Sequence, residues 1–251
     1  MSLAPDAPLD PATPPAGPLR VAVTVDFEPD CPPYLSSTFR GIEEGAPRLL
    51  DMFAAEGVQA TYFSTSEVAQ RHPAAVRALV DVGHELACHG VTHTAFDRMD
   101  ERTARWEIEH SVRLLRDFAQ VDSFRAPYLR FPEPFVRLLE QSGFAVDSSL
   151  AKYKRSYRAP RLPTTLTRIP ASMTSSVLRL PAFVRDPWLA RLRDPVVLFV
   201  HPWEFVDLTR ERLRWDCRFR TGDVALRCLR DVISSFRRRG ARFMTIRELA
   251  A

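Results

Sequence analysis

The chain alternates short apolar runs with amphipathic stretches, after a polar and proline-punctuated start. Residues 19–27 form a nearly unbroken, valine-rich run, the pattern of a strand buried on both faces. Residues 43–56 carry Ala46, Leu49, Leu50 and Phe53 at helical spacing and stop before Gly57, which can take the left-handed cap. The same reasoning predicts strands over 60–64, 84–88, 123–125, 145–147, 196–201 and 242–245. It predicts helices over 73–82, 101–118, 134–142 and 223–239, and a short one at the C-terminus. On 101–118 the expected inner face holds Trp106, Ile108, Val112 and Leu115. Residues 151–190 contain five prolines and show no sustained period, so an irregular insertion is expected there.

Strand followed by helix, repeated about seven times, predicts parallel strands joined by crossover helices in an α/β barrel-like fold. One domain over 19–251 is the simplest organisation. Residues 1–18 hold Pro5, Pro8, Pro11, Pro14, Pro15 and Pro18 and few large apolar groups, so a flexible Pro-rich tail is expected.

Composition narrows the function classes. The 251 residues are 45% apolar and 26% charged, as in ordinary globular proteins. No stretch approaches the ~20 apolar residues of a membrane span, and no signal-like segment opens the chain, so a cytoplasmic protein is expected. The formal charge is +4, with all but two of the 35 basic residues arginine, yet they are dispersed beside 31 acids. A nucleic-acid partner is therefore not expected, although a modest basic rim would favour phosphate- or carboxylate-bearing substrates. Cys31, Cys88, Cys217 and Cys228 form no C-x-x-C pair and are read as reduced thiols.

The chemistry lies at the predicted C-terminal ends of strands, where parallel barrels build their sites. Asp26 and Glu28, two apart, can point to one face, and one could bind a metal while the other acts as a base. Asp30 is a second candidate for the metal carboxylate. His89 and His93 have the i, i+4 spacing that brings two imidazoles together on a helical turn. Two imidazoles with one carboxylate leave positions open for water and substrate. Arg125 stands before Pro127, where it could orient a carboxylate, and the Tyr128 amide could face a developing oxyanion. His201 closes the apolar run 196–200 and is placed to protonate a departing amine. Trp203 follows, equally a sugar-stacking platform or a core residue. His84 reads as a hydrogen-bonded structural histidine, and Cys88 as packing.

Taken in order, these motifs resemble the polysaccharide deacetylase family, the NodB-homology domains of carbohydrate esterase family four. The likeness runs over roughly residues 19–249: Thr24–Glu28 for the first motif, His89–His93 for the second and Arg125–Tyr128 for the third. Asp147-Ser148-Ser149 stands for the fourth and Leu198–His201 for the fifth. The resemblance implies a distorted (β/α)7 barrel, a divalent metal that is often zinc, and hydrolysis of an N-acyl group on an amino sugar or its conjugate. It implies Asp26 as base, Glu28, His89 and His93 as ligands, Arg125 orienting Asp26, and His201 as acid. Glu28 departs from the usual second aspartate, and Gly90 from a small hydroxyl residue. Thr38–Gly41 with 44–50 is similar to lipid-linked aminoarabinose deformylases of the same superfamily.

Alternatives are a cyclic-amide hydrolase of the allantoinase-like branch and a catalytically silent glycan-binding barrel. With no visible export signal, a nucleotide- or lipid-linked amino sugar is the expected substrate. Lys152, Lys154, Arg155, Arg158 and Arg161 are the expected phosphate-facing rim.

Overall fold

The computed structural model describes residues 17–251, so nearly all of the expected tail over 1–18 lies outside the described residues. Eight strands share one parallel sheet: β1 (Arg20–Phe27), β2 (Thr61–Ser64), β3 (Glu85–Cys88), β4 (Ser123–Phe124), β5 (Val146–Asp147), β6 (Thr167–Arg168), β7 (Val196–Val200) and β8 (Arg242–Phe243). The spatial order is β6-β5-β4-β3-β2-β1-β7, with β8 pairing β1. β2 joins β1 only from Thr24 onward, and β8 takes the vacant edge at Arg20 and Val21. The sheet edges β6 and β7 are linked through the irregular segment between them. Met173 bridges Leu198, and Ser172 N donates to the Val197 carbonyl.

The helices are α1 (Ala46–Glu56), α2 (Ser66–Arg71), α3 (Pro73–Asp81), α4 (Glu101–Leu115), α5 (Val136–Gln141), α6 (Ser175–Leu178), α7 (Ala182–Ala190), α8 (Trp215–Arg218), α9 (Asp223–Arg238) and α10 (Ile246–Ala250). Their buried faces form one core with the outward side chains of the strands, including Val21, Val23, Val25, Leu49, Phe53, Val232 and Phe236. Each such side chain contributes about 1.5–3 kcal/mol by leaving water. Gly57 ends α1 at φ 57°, ψ 40°, the conformation glycine adopts without steric cost. This is the distorted α/β barrel that the alternation and the motif order implied.

Three expectations are corrected. Segment 151–190 is not wholly irregular: it supplies β6, α6 and α7. Trp106 does not face inward. It is 52% exposed and stacks on His110, while Ala104, Glu107, Ile108, Ser111, Val112 and Leu115 form the buried face of α4. The 89–93 segment is not helical either, as described below. Among the described residues no helix is long and apolar enough to cross a membrane, and all four cysteines are free and buried.

Candidate metal and catalytic site

The strands end together, and their last residues converge on one cavity of about 370 Å³ lined by Asp26, Glu28, His93, Tyr128, His201 and others. Glu28, His89 and His93 present ligand atoms that all lie within 4.8 Å of one another. The histidines meet through a loop rather than a helical turn. Gly90 (φ 81°) and His93 (φ 51°) both take left-handed backbone, which folds His93 back over His89. A Cβ at Gly90 would meet only ordinary contacts, so the torsion, not space, explains glycine there. The Glu107 carboxylate accepts from Val91 N at 2.8 Å and pins this loop to α4.

The donor set has the chemistry of a cation site. His89 Nδ1 is 2.7 Å from the Arg125 carbonyl, which can only accept, so Nδ1 carries the proton and the Nε2 lone pair turns inward. That Nε2, Glu28 Oε2 and His93 Nδ1 are buried without a hydrogen-bond partner. Orphaned buried acceptors are rare in folded proteins. The first two, with His93 Nε2, face one point: Glu28 Oε2 lies 2.6 Å from His93 Nε2 and 3.5 Å from His89 Nε2. Burial alone would raise the Glu28 carboxyl, but His93 and His201 beside it hold it well below the usual carboxylate range.

Asp30 plays no part in this cluster. Its oxygens accept from Thr38 Oγ1 (2.7 Å), Arg40 N (2.8 Å) and Gly41 N (2.7 Å), so Thr38–Gly41 grips a structural carboxylate. A side chain at Gly41 would strike the backbone of Trp203, and one at Gly45 that of Pro202. This close approach seats the turn after β7, which carries His201.

Asp26 and His201 flank the cluster. Arg125 is fully buried and gives Nη1 to Asp26 Oδ1 (2.6 Å) and Thr24 Oγ1 (2.8 Å), and Nη2 to Ser148 Oγ (3.0 Å). Its guanidinium also sits 4.1 Å from the Phe63 ring centroid. Shielded in this way, Arg125 orients Asp26 and is not available to a substrate carboxylate. Such a pair is tolerable in the interior because its other donors are satisfied.

His201 Nδ1 is 2.6 Å from Glu204 Oε1, and its Nε2 lies 4.0 Å from Asp26 Oδ2 and 3.8 Å from Glu28 Oε1. Burial would lower the imidazole, but Glu28, Glu204 and Asp26 together raise it to about 9. Glu204 in turn is lowered, against its burial, by Arg179 2.9 Å away and by His201. The Glu204–Arg179 pair escaped the sequence reading. The one available signal was the glutamate three residues after His201, a capping-box spacing.

Tyr128 (φ 59°) and Leu129 (φ 52°) form a left-handed turn after β4, with the Tyr128 ring edge-on to His93 at 4.4 Å. Lys154 Nζ donates to the Tyr128 carbonyl at 2.6 Å and straps the turn in place. Trp203 is 5% exposed, stacks on His201 at 4.8 Å and directs Nε1 to Glu28 Oε1 at 3.3 Å. It therefore packs beneath the site, and little of it is left to receive a sugar.

Of the expected basic rim over 151–190, Lys154 lines the cavity and two others are tied to the protein itself. Lys152 Nζ is bound to the Pro195 carbonyl, and Arg161 to Glu133 and the carbonyls of Ser156 and Tyr157.

The family model for polysaccharide deacetylases matches residues 15–146. A peptidoglycan deacetylase from Helicobacter pylori is 30% identical over 123 residues, covering 48% of this chain and 42% of that protein. A chitooligosaccharide deacetylase from Sinorhizobium fredii is 35% identical over 85 residues, covering 33% and 40% respectively. The matched stretches thus span less than half of either relative. Among solved structures, a putative polysaccharide deacetylase from Mycobacterium smegmatis superposes with a TM-score of 0.67 at 22% identity, over 96% of this chain and 93% of that one. With the motif residues gathered at one barrel mouth and the family model matching more than half its length, the chain belongs to the polysaccharide deacetylase family.

Proposed function

We propose that the protein is a metal-dependent hydrolase that removes an N-acyl group, acetyl or formyl, from an amino sugar or its conjugate. The observation that carries this reading is the buried Glu28–His89–His93 cluster, with unpartnered acceptors at Glu28 Oε2 and His89 Nε2, beside a carboxylate and a protonated imidazole. Those three residues would hold one divalent cation, with zinc the first choice for two imidazoles and one carboxylate. A cation bound there would polarise the amide carbonyl and acidify a water molecule.

The chain's own residues divide the proton work. The Asp26 carboxylate, fixed by Arg125 and Thr24, takes the proton of the attacking water. His201, charged through its acidic neighbours, gives its Nε2 proton to the departing amine as the C–N bond breaks. Glu204 keeps the opposite ring nitrogen protonated and so fixes which nitrogen faces the substrate. One water is consumed, a carboxylic acid and an amine are formed, and solvent returns each group to its starting charge. A silent binding barrel would have no use for a base and an acid set beside a ligand cluster. A linear amide, not a cyclic one, fits the polysaccharide deacetylase relatives.

The test is metal content measured with turnover. Protein prepared without chelator should hold close to one equivalent of divalent metal and release acetate or formate from an N-acyl amino sugar. The His89→Ala/His93→Ala variant should lose both. Equal metal content in the two proteins would reject the ligand assignment.

A further inference from the structure

Three cavities meet around the Tyr128 turn. The first holds the candidate site. A second of about 480 Å³ shares His93, Tyr128, Arg130 and Arg214 with it, and a third of about 650 Å³ shares Leu129, Arg130 and Lys154. Arg130 lines all three, so they form one groove that bends round this residue.

The groove carries more positive charge than its own acids neutralise. Arg130 is exposed and has one loose partner, Asp97, at 3.7 Å. Arg98, on the wall of the second cavity, has no ion pair among the described residues. Lys154 sits under the same turn, its ammonium lowered chiefly by burial and also by Arg130 beside it. Of the other acids on these walls, Glu67 holds Arg71 at 3.0 Å, Asp216 holds Arg214 at 2.5 Å, Asp26 pairs with Arg125, and Glu28 belongs to the ligand cluster. Two exposed guanidiniums on the wall of one cavity, with a third cation behind them, are a recognition surface for a planar or tetrahedral oxyanion. That surface adjoins His93 and Tyr128, so an anion held there would lie close to the acyl group being cleaved.

We propose that Arg98 and Arg130 form an anion subsite and that the substrate is an amino sugar bearing a phosphate or carboxylate near the scissile amide. This deepens the reading above and rests on it. It places the two anion-facing guanidiniums on the loops after β3 and β4, with Lys154 of the segment 151–190 behind them.

Binding is tested first, because it needs no turnover. Glucosamine 1-phosphate should bind the wild-type protein at least tenfold more tightly than glucosamine, and the advantage should shrink with added salt. In the Arg98→Gln/Arg130→Gln variant, whose exposed positions leave the melting temperature in place, that advantage should fall to less than threefold. Turnover is then compared on N-acetylglucosamine 1-phosphate, N-acetylmuramic acid and chitotetraose. The ratio of kcat/KM for a charged over the uncharged substrate should drop about 10–100-fold in the variant, and whether phosphate or carboxylate shows the larger drop identifies the natural anion. Equal binding of glucosamine and its 1-phosphate by the wild type would overturn the subsite, as would a charged-to-uncharged ratio that the variant leaves unchanged. A protein that discriminates in binding but hydrolyses none of the three would overturn the hydrolase reading and leave the subsite standing.

Discussion

Two buried glutamates sit at opposite ends of the same sheet, and their surroundings differ sharply. Glu85, where β3 begins, is fully served. Its oxygens accept from Ser123 Oγ (2.6 Å), Thr61 Oγ1 (2.7 Å) and Arg247 N (3.0 Å), which ties β2, β3, β4 and the start of α10 together. Glu28, just past the end of β1, has an oxygen with no hydrogen-bond partner and faces imidazoles at close range. Both carboxylates are almost wholly removed from water, with 6% and 2% of their surface left exposed. Burying a carboxylate is costly unless partners replace the water. At Glu85 the protein itself supplies the partners, and the result is cohesion. At Glu28 it leaves a place for something else, and the result is a site.

The contrast predicts that damage at the two ends should separate activity from stability. The largest effect is expected at the mouth. Replacing Asp26 with Asn or His201 with Gln should lower turnover by about 10²–10⁴-fold with metal content retained. Asp26→Asn also leaves the Arg125 cation under-compensated, so its melting temperature should fall as well, whereas that of His201→Gln should stay near wild type. Wild-type turnover in Asp26→Asn with metal in place would move the base to another residue.

At the other end, Glu85→Ala strands the buried Ser123 and Thr61 hydroxyls, at about 1–3 kcal/mol each where water cannot reach them, and the part-buried Arg247 N. A urea melt should show the loss, while turnover per folded molecule and metal content stay near wild type. A variant with normal stability and lost activity would erase the distinction between the ends.

The smallest effect sharpens the comparison through pH. His84 precedes β3 at the Glu85 end, with Nδ1 accepting from Ala60 N at 3.1 Å. Burial lowers its imidazole to about 4 from an ordinary value near 6.5. The unfolded chain therefore binds a proton between these values that the folded one refuses, so stability is complete above pH ~6.5 and declines as pH falls toward 4. His84→Asn keeps an acceptor for Ala60 N and removes the proton site. Its stability should change less between pH 7 and 5 than that of the wild type, and an unchanged slope would show that other groups govern the acid side.

The mouth was more legible in the sequence than the frame around it. Val25-Asp26-Phe27-Glu28 and 196–201 could be placed because a valine-rich run that ends in an ionisable residue reads the same in one dimension as in three. His89 and His93 were paired for the wrong reason: the spacing fits a helical turn, but two left-handed residues bring the rings together. Backbone reversals of that kind leave only a glycine as a trace. β6 was missed because it is two residues long and owes its place to partners, Val146 and Asp147, with Arg168 also bound to Asp147 at 2.9 Å. Arg179 was invisible because its meaning depends on Glu204, 25 positions away and in contact only after folding.

The seam between β6 and β7 has a consequence for how such a molecule can change. In a fully closed barrel, strand number and stagger fix the diameter, and no single segment can alter it. Here the two sheet edges meet through the stretch around Ser172 and Met173, which leads directly to Thr174, Ser175 and Ser176 on the wall of the first cavity. The width of the mouth is thus held by a hem instead of a hoop. Lengthening or thickening that hem would be expected to refit the opening to a bulkier ligand while the residues on β1, β3, β4 and β7 keep their register.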